Sequence, residues 1–217
     1  MKNQYNEYFK NHYKSTFSVK DIENYQKWFT AQWNFINKQI AIEKDEKVLE
    51  IGSGVGGFYA FLKGKDIDYI GLEPDNQAMK FANAFFRKKI FHSIFLEEFS
   101  TEEKYNKIFA FEVLEHLENP LASIDKIYNL LKKDGIFCGT SPYPYYKNIV
   151  ADKTHLSVLH PENWRHLFLL NGFKKVTLYP MSFFPYIWRV NKHLNYRIPF
   201  YVSFEGFIST CLIIAKK

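Results

Sequence analysis

A group of closely spaced glycines is the most distinctive pattern in this sequence. Four of the ten glycines fall within six residues, at Gly52, Gly54, Gly56 and Gly57, directly after a predicted strand at 47–51. Glycine is needed where a chain turns sharply and where a ligand approaches the backbone closely. The helix predicted after the turn adds free amide donors and a partial positive charge. The pattern therefore predicts a site for a nucleotide-like ligand.

The glycine spacing is compatible with two classes of ligand. Gly52, Gly54 and Gly57 match a dinucleotide fingerprint, and Glu73 ends the next predicted strand, where its carboxylate can accept both ribose hydroxyls of an adenosine. An NAD-dependent oxidoreductase or a non-catalytic nucleotide-binding module is therefore one interpretation. Glu50 favours another, because a carboxylate two positions before the first glycine would repel a pyrophosphate. It suits a ligand that carries an amino group and a sulfonium, as S-adenosylmethionine does.

Two histidines have side chains suited to proton transfer. His116 ends the segment EVLEH at 112–116, and His155 ends the segment DKTH at 152–155. A neutral imidazole close to a reacting hydroxyl can act as a general base. Glu112, Glu115 and His116 are spaced i, i+3 and i+4, which predicts that they share one side of a helical turn. The competing interpretation is that both histidines are structural, hydrogen-bonded loop residues.

Strands alternate with helices along the chain. This alternation indicates an α/β fold, a parallel sheet with helices on both faces. We expect a helical cap over residues 1–42 and a single further domain over 43–217. The predicted strands are 47–51, 68–73, 89–93, 106–111, 136–140, 173–179 and 208–215, and the predicted helices are 21–42, 55–62, 75–86, 120–133 and 161–170.

The composition excludes few partners. A net charge of +6 suits phosphate-bearing substrates, nucleic acid or an anionic membrane without selecting one of them. Cys138 and Cys211 lack metal-ligand spacing and are expected to be reduced core residues of a cytoplasmic protein. We expect no secretory signal, because residues 1–14 contain no apolar stretch, and the longest apolar run, at 207–215, is too short to span a membrane.

An aromatic segment at 180–206 separates the last two predicted strands. It contains three prolines and the basic or histidine side chains of Arg189, Lys192, His193 and Arg197. It is too long for a simple hairpin loop, so we expect an insertion. It could form a lid, a dimer contact or a peripheral membrane contact at the inner face, or it could be a packed aromatic cluster. The oligomeric state is left open.

From Glu50 to about Val176 the chain resembles the class I S-adenosylmethionine-dependent methyltransferases. The glycine segment is followed in order by IGLEPD at 70–75, FLEEF at 95–99, NKIFAFEVLEHLENP at 106–120, LLKKDGIFCGTSPY at 130–143 and NGFKKV at 171–176. The resemblance implies a seven-stranded, mostly parallel sheet of order 3-2-1-4-5-7-6 with strand 7 antiparallel. It also implies S-adenosylmethionine as cofactor and S-adenosylhomocysteine as product. Asn106 is a departure, since relatives commonly have Asp there.

The resemblance carries over a set of cofactor-binding residues. Glu50 and the glycine loop would hold the methionine moiety, and Glu73 would bind the ribose. Residues after strand three would flank the adenine, and a residue at the end of strand four would line the cofactor near the reactive methyl group. The full set is Glu50, Gly52, Ser53, Gly54, Gly56, Glu73, Pro74, Leu96, Glu97 and Phe111.

The resemblance also bears on the chemistry at the acceptor. His116 and His155 are the candidate bases. Some relatives, including quinone O-methyltransferases and small-RNA 2′-O-methyltransferases, hold a divalent cation with residues similar to Glu112, Glu115 and His116, and His155 could be a further ligand. The favoured interpretation has no metal, with Glu115 and His116 orienting the loop.

Similarity of the DKTH loop, the following helix and the NGF turn to enzymes of bacterial surface-polysaccharide pathways implies an acceptor class. We expect O-methylation of a small molecule or of a glycan or capsule precursor, such as a nucleotide-activated sugar or another phosphorylated intermediate. A quinone-type phenol is the alternative. Nucleic acid is not expected as a partner, because the chain lacks a separate RNA-binding domain.

Overall fold

The protein folds around a sheet of eight strands. The structure, a computed structural model, describes residues 16–145, 149, 152–184, 197–203 and 207–217. The strands in this part of the chain are β1 (Lys47–Ile51), β2 (Asp68–Leu72), β3 (Phe91–His92), β4 (Tyr105–Phe111), β5 (Leu131–Pro142), β6 (Lys175–Phe183), β7 (Arg197–Ile198) and β8 (Ile208–Lys216). Their order across the sheet is β3-β2-β1-β4-β5-β8-β6-β7.

Helices cover both faces of the sheet. Along β4, Ile108 and Ala110 pack into one hydrophobic core with Trp164, while Phe109 packs into another with Phe29. This alternation follows from the two-residue period of a strand whose two faces are both buried. The described helices are α1 (Val19–Gln39), α2 (Gly57–Leu62), α3 (Asn76–Phe86), α4 (Pro120–Leu130) and α5 (Pro161–Leu170), with a 3₁₀ turn at Leu114–His116.

The predicted α/β class and mostly parallel sheet are confirmed, but the predicted number of seven strands is wrong. The extra strand, β7, pairs antiparallel with Ser182 and Phe183 at the end of β6. It lies inside the predicted insertion and is too short to give a sequence signal. Without it, the order is the predicted one, and β8 runs antiparallel to both β5 and β6.

Several element boundaries differ from the prediction. Helix α4 begins as predicted, because the Asn119 side chain accepts from Ala122 N at 3.2 Å. It ends at Leu130 rather than at 133, since β5 begins at Leu131 and pairs there with Tyr105. Helix α1 ends at Gln39 rather than at 42, and the apolar residues Ile40 and Ile42 are buried beyond its end.

Part of the aromatic insertion belongs to the sheet. Strand β6 continues through Phe183, and Arg197 lies in β7 with its guanidinium carbon 3.3 Å from the centre of the Phe35 ring. Arg189, Lys192 and His193 lie outside the described residues. Within the described ranges, no helix has both the length and the apolar character that a membrane span requires.

Candidate active site

A cavity of about 790 Å³ opens at the carboxyl ends of β1, β2 and β4. Strand β1 lies between β2 and β4. The strand order therefore reverses here, because β2 and β3 lie on one side of β1 and β4 and β5 lie on the other. Ligands of open α/β sheets bind in the crevice created by such a reversal. The glycine loop forms one wall, the segments after β2 and β4 form others, and α1 covers the cavity with Tyr25, Trp28 and Phe29.

Gly52 shows why this loop requires glycine. Its φ of 71° lies in the left-handed region, and a Cβ atom there would approach Val113 Cγ2 to 2.3 Å. The backbone N–H groups of Gly52 and Ser53 donate to the carbonyl of Leu72 at 2.8 and 2.9 Å, which ties the loop to the end of β2. The beginning of the loop is thus fixed to β2, and the loop lines the cavity.

One polar atom of this loop marks it as a ligand site. The Ser53 side chain is buried and lines the cavity, yet its hydroxyl has no hydrogen-bond partner among the described residues. A buried hydroxyl without a partner is costly unless a ligand supplies one. The loop therefore fits a polar nucleoside ligand such as the predicted cofactor.

Glu73 closes the second side of the same site. Its two carboxylate oxygens accept from Gly54 N at 2.7 Å and from Asp75 N at 2.9 Å. Burial raises the pKa of this carboxyl to about 7, although both backbone hydrogen bonds act to lower it. Each oxygen retains a lone pair, so hydrogen bonds from two ribose hydroxyls remain possible.

Most of the predicted cofactor residues line the cavity. Gly56 and Leu96 do not, because Gly56 lies behind the loop against Phe86 and Phe91, and the Leu96 side chain packs into the core. Glu97 lines the cavity and accepts from the Ser123 hydroxyl at 2.7 Å. The eight that do line it are Glu50, Gly52, Ser53, Gly54, Glu73, Pro74, Glu97 and Phe111.

His116 and His155 lie together, on the segments that follow β4 and β5. Their ring centres are 5.0 Å apart, and both line the cavity wall. His116 Nδ1 lies 3.1 Å from the carbonyl oxygen of Thr154, which only accepts, so Nδ1 carries the proton and Nε2 is the basic nitrogen. Burial lowers the pKa of His116 from its ordinary value, so the ring is neutral at pH 7.

Asp152 and Thr154 orient His116, a role that the sequence did not indicate. The Thr154 hydroxyl donates to Asp152 Oδ1 at 2.6 Å and lies 3.0 Å from His116 Nδ1. Because its own proton is directed at Asp152, this hydroxyl accepts from the imidazole. The DKTH segment predicted His155 alone as functional, whereas its Asp and Thr fix the ring of a histidine 38 residues earlier.

Glu115 is the third member of this group. One ligand atom each from Glu115, His116 and His155 lies within 4.8 Å of the others. Glu115 is 1% exposed, and its Oε2 has no hydrogen-bond partner within the described part of the chain. Burial and the negative charges of Glu112 and Asp152 raise the pKa of Glu115 well above its ordinary value. The three residues could hold a cation, or a protonated Glu115 could brace the histidines.

Glu112 lies apart from these three residues. The expectation that it shares a helical turn with Glu115 and His116 is wrong, because the turn begins at Leu114 and Glu112 has a left-handed φ of 54°. Its Oε1 instead accepts from the Thr210 hydroxyl at 2.9 Å. Loss of hydration raises the pKa of Glu112. Hydrogen bonds from Thr140 and Thr210 and the nearby His155 act to lower it.

Comparison with known proteins identifies the family. Residues 25–178 match the methyltransferase domain family. The chain belongs to that family. Its predicted enzyme class, methyltransferase, and its predicted cofactor, S-adenosylmethionine, are thereby confirmed. The match begins inside α1 and ends inside β6, so it contains the described cavity lining except for Phe17, Asp21 and Asn24 before it and Phe183 and Ile208 after it.

Individual relatives are distant. The tRNA U34 carboxymethyltransferase of Helicobacter pylori strain J99 is 28% identical over 135 residues, which cover 56% of this chain and 50% of that protein. This chain thus spans about half the length of that curated relative. Among solved structures, a SAM-dependent methyltransferase from Archaeoglobus fulgidus has a TM-score of 0.66 at 22% identity, covering 88% of this chain and 94% of its own. The YcgJ protein of Bacillus subtilis has a TM-score of 0.66 at 15% identity, with 88% and 98% covered. These structures share the fold.

We expect Glu73→Ala to weaken binding of S-adenosylhomocysteine at least about tenfold, because the variant loses a charge-assisted hydrogen bond to the ribose. Isothermal titration calorimetry measures the change, with Glu102→Ala as an exposed acidic control outside the cavity. Affinity of Glu73→Ala within about twofold of the unaltered chain would contradict the assignment of Glu73 to the ribose.

Proposed function

We propose that this methyltransferase transfers a methyl group to the oxygen of a small, uncharged acceptor bound beside His116 and His155. The observation that carries the proposal is the position of this pair, which lines the same cavity as the glycine loop, Glu50 and Glu73. One cavity is therefore lined both by a nucleoside-binding loop and by a neutral base. This arrangement supports methylation of a hydroxyl, which must lose a proton during the reaction.

S-adenosylmethionine supplies a methyl group on a sulfonium, and methyl transfer from it requires alignment of the acceptor and exclusion of water. His116 accepts the acceptor's proton at Nε2, since Nδ1 is held by Thr154. Trp28, Phe29 and Phe111 give the cavity an apolar wall that excludes water; the Phe111 ring is 6.2 Å from Trp28 and 4.9 Å from Phe29.

The charge of the cavity wall bears on the acceptor. Among its described lining residues, eight are acidic and none is Lys or Arg. A phosphate group would find no Lys or Arg among the described lining residues to pair with. The wall thus disfavours a nucleotide-activated sugar or another phosphorylated precursor, although the whole chain has a net charge of +6.

The aromatic side chains that line the cavity favour a phenol over a sugar. Trp28, Phe29 and Phe111 offer ring faces and edges on which an aromatic acceptor can pack. A phenol has a pKa of about 10, so it keeps its proton at neutral pH and needs a base such as His116. We therefore favour the quinone-type phenol, and an uncharged glycan unit is the second candidate.

A panel of probe acceptors tests this proposal. Methyl transfer from S-adenosylmethionine to catechol, to an uncharged methyl glycoside and to UDP-glucose is followed by mass spectrometry. Product from catechol supports the phenol, and product from the glycoside alone supports the second candidate. Product from UDP-glucose alone would contradict the argument from the charge of the wall.

We expect exhaustive chelation to leave the rate of methyl transfer unchanged. The group of Glu115, His116 and His155 offers a single carboxylate, and its raised pKa favours the neutral acid, which is a poor cation ligand. The measurement compares initial rates before and after treatment with EDTA. Loss of activity that Mg²⁺ or Mn²⁺ restores would assign the three residues to a cation that lowers the pKa of the acceptor hydroxyl.

A further inference from the structure

A buried hydrogen bond lies beneath the methionine end of the cavity. The Tyr69 hydroxyl donates to Glu50 Oε2, and the two residues are only 4% and 3% exposed. Glu50 lines the cavity, whereas Tyr69 does not. Tyr69 is therefore placed to act on a bound ligand through Glu50.

The register of the sheet brings the two side chains together. Strands β1 and β2 are parallel, and Glu50 lies opposite Gly71. Tyr69 precedes Gly71 by two residues, so it projects from the same face of the sheet as Glu50. Gly71 has no side chain to separate them, and a Cβ atom there would approach Ser53 Oγ to 2.7 Å. Because Gly71 has no side chain, the space between Glu50, Tyr69 and the glycine loop stays open.

Aromatic neighbours fix the Tyr69 ring. Its centre is 5.0 Å from the Tyr59 ring on α2 and 5.7 Å from the Phe91 ring on β3. Such edge and tilted contacts hold a ring in one orientation. The hydroxyl is therefore directed at Glu50 before any ligand binds.

Glu50 needs this donor because it is buried. Burial and the negative charge of Glu73 together raise the pKa of its carboxyl to about 8, although the hydrogen bond from Tyr69 acts to lower it. Its neighbour in the register on β4, Phe109, is apolar. Tyr69 and Glu73 are thus the two titratable groups that act on Glu50, and Tyr69 is the one that favours the ionised form.

We propose that Tyr69 is a positioning residue that holds the Glu50 carboxyl group directed into the cavity, where Glu50 captures the ammonium group of the cofactor's methionine moiety. The proposal rests on the binding of S-adenosylmethionine in this cavity. It assigns Tyr69, which touches neither cofactor nor acceptor, a specific part in cofactor affinity.

The test compares two ligands that differ in the group Glu50 would capture. S-adenosylhomocysteine carries the amino-acid moiety, and 5′-methylthioadenosine retains the adenosine and the thioether without it. At pH 7 we expect Tyr69→Phe to weaken S-adenosylhomocysteine about tenfold or more and to leave 5′-methylthioadenosine within about twofold, because only one charge-assisted interaction is affected. Tyr59→Phe is the matched control, a neighbouring buried tyrosine that should change neither affinity.

The pH profile separates positioning from a merely structural role. Tyr69→Phe raises the pKa of Glu50, so the ratio of the variant's Kd to that of the unaltered chain should fall as pH rises from 7 to 9. Taking the ratio cancels the titration of the ligand's own amine. In a Glu50→Gln background, Tyr69→Phe should have no further effect.

Three results would overturn the proposal: equal loss of both ligands in Tyr69→Phe, a ratio that does not depend on pH, or a loss that persists in the Glu50→Gln background. If the unaltered chain binds neither ligand, the cofactor assignment itself fails, and this outcome is distinct from the other three.

Discussion

His116→Ala should lower the kcat of methyl transfer by about 10²–10⁴-fold, the range that a positioned general base contributes. His116 is the histidine whose Nδ1 is fixed by Thr154 and whose pKa is lowered, so its Nε2 is a ready acceptor at pH 7. Binding of S-adenosylhomocysteine should stay within about twofold, because the nucleoside-binding loop is untouched. Initial rates at saturating cofactor, together with calorimetry, measure both quantities.

His166→Ala serves as the control, since that histidine is exposed on α5 and does not line the cavity. His155→Ala should also reduce kcat, because its ring is 5.0 Å from that of His116 and shares the cavity wall. If His116→Ala retains the full rate and His155→Ala does not, His155 is the base. Full rates in both variants would show that the acceptor needs no base from this pair.

Gly52→Ala should lower the free energy of unfolding by about 2–5 kcal/mol. A left-handed backbone costs a non-glycine residue about 1–2 kcal/mol. The new methyl group would also lie 2.3 Å from Val113 Cγ2, and overpacking of this kind costs about 1–3 kcal/mol. Val113 is β-branched and so turns away poorly. Urea denaturation at equilibrium measures the change.

Two further variants separate the cost of the left-handed backbone from the cost of the clash with Val113. Gly54→Ala has the same left-handed backbone, with a φ of 52°, but no atom within 4 Å of the added Cβ, so it should show the backbone cost alone. Val113→Ala removes the clashing methyl group and should restore part of the stability of Gly52→Ala. Equal losses in Gly52→Ala and Gly54→Ala would contradict the clash with Val113.

Local signals in the sequence account for the parts of the structure that depend on few residues. The glycine loop, Glu50 and Glu73 were predicted together because glycine at a strand–helix junction and flanking carboxylates have a direct chemical meaning. Asn119 marked the start of α4 because its side chain caps the helix locally. Strand β7 is only two residues long and is held by pairing with distant β6, so no local pattern revealed it.

The parts that depend on tertiary contacts could not be predicted in this way. Thr154 orients His116 across 38 residues, and nothing in either segment indicates that pairing. The contribution of α1 to the cavity depends on close approach to Gly57, where a Cβ atom would lie 2.2 Å from Tyr25 Cβ. The acidic character of the cavity wall is hidden in a sequence with a net charge of +6, because the distribution of charge follows from the fold.

The central claim is that one cavity joins the cofactor to a neutral base that accepts a proton from an uncharged hydroxyl. Its most direct test is the transfer of a deuterated methyl group from labelled S-adenosylmethionine to catechol, with the product analysed by mass spectrometry and NMR. We predict label on a catechol oxygen, formed by the unaltered chain and strongly reduced in His116→Ala. Label on UDP-glucose with none on catechol would contradict the claim.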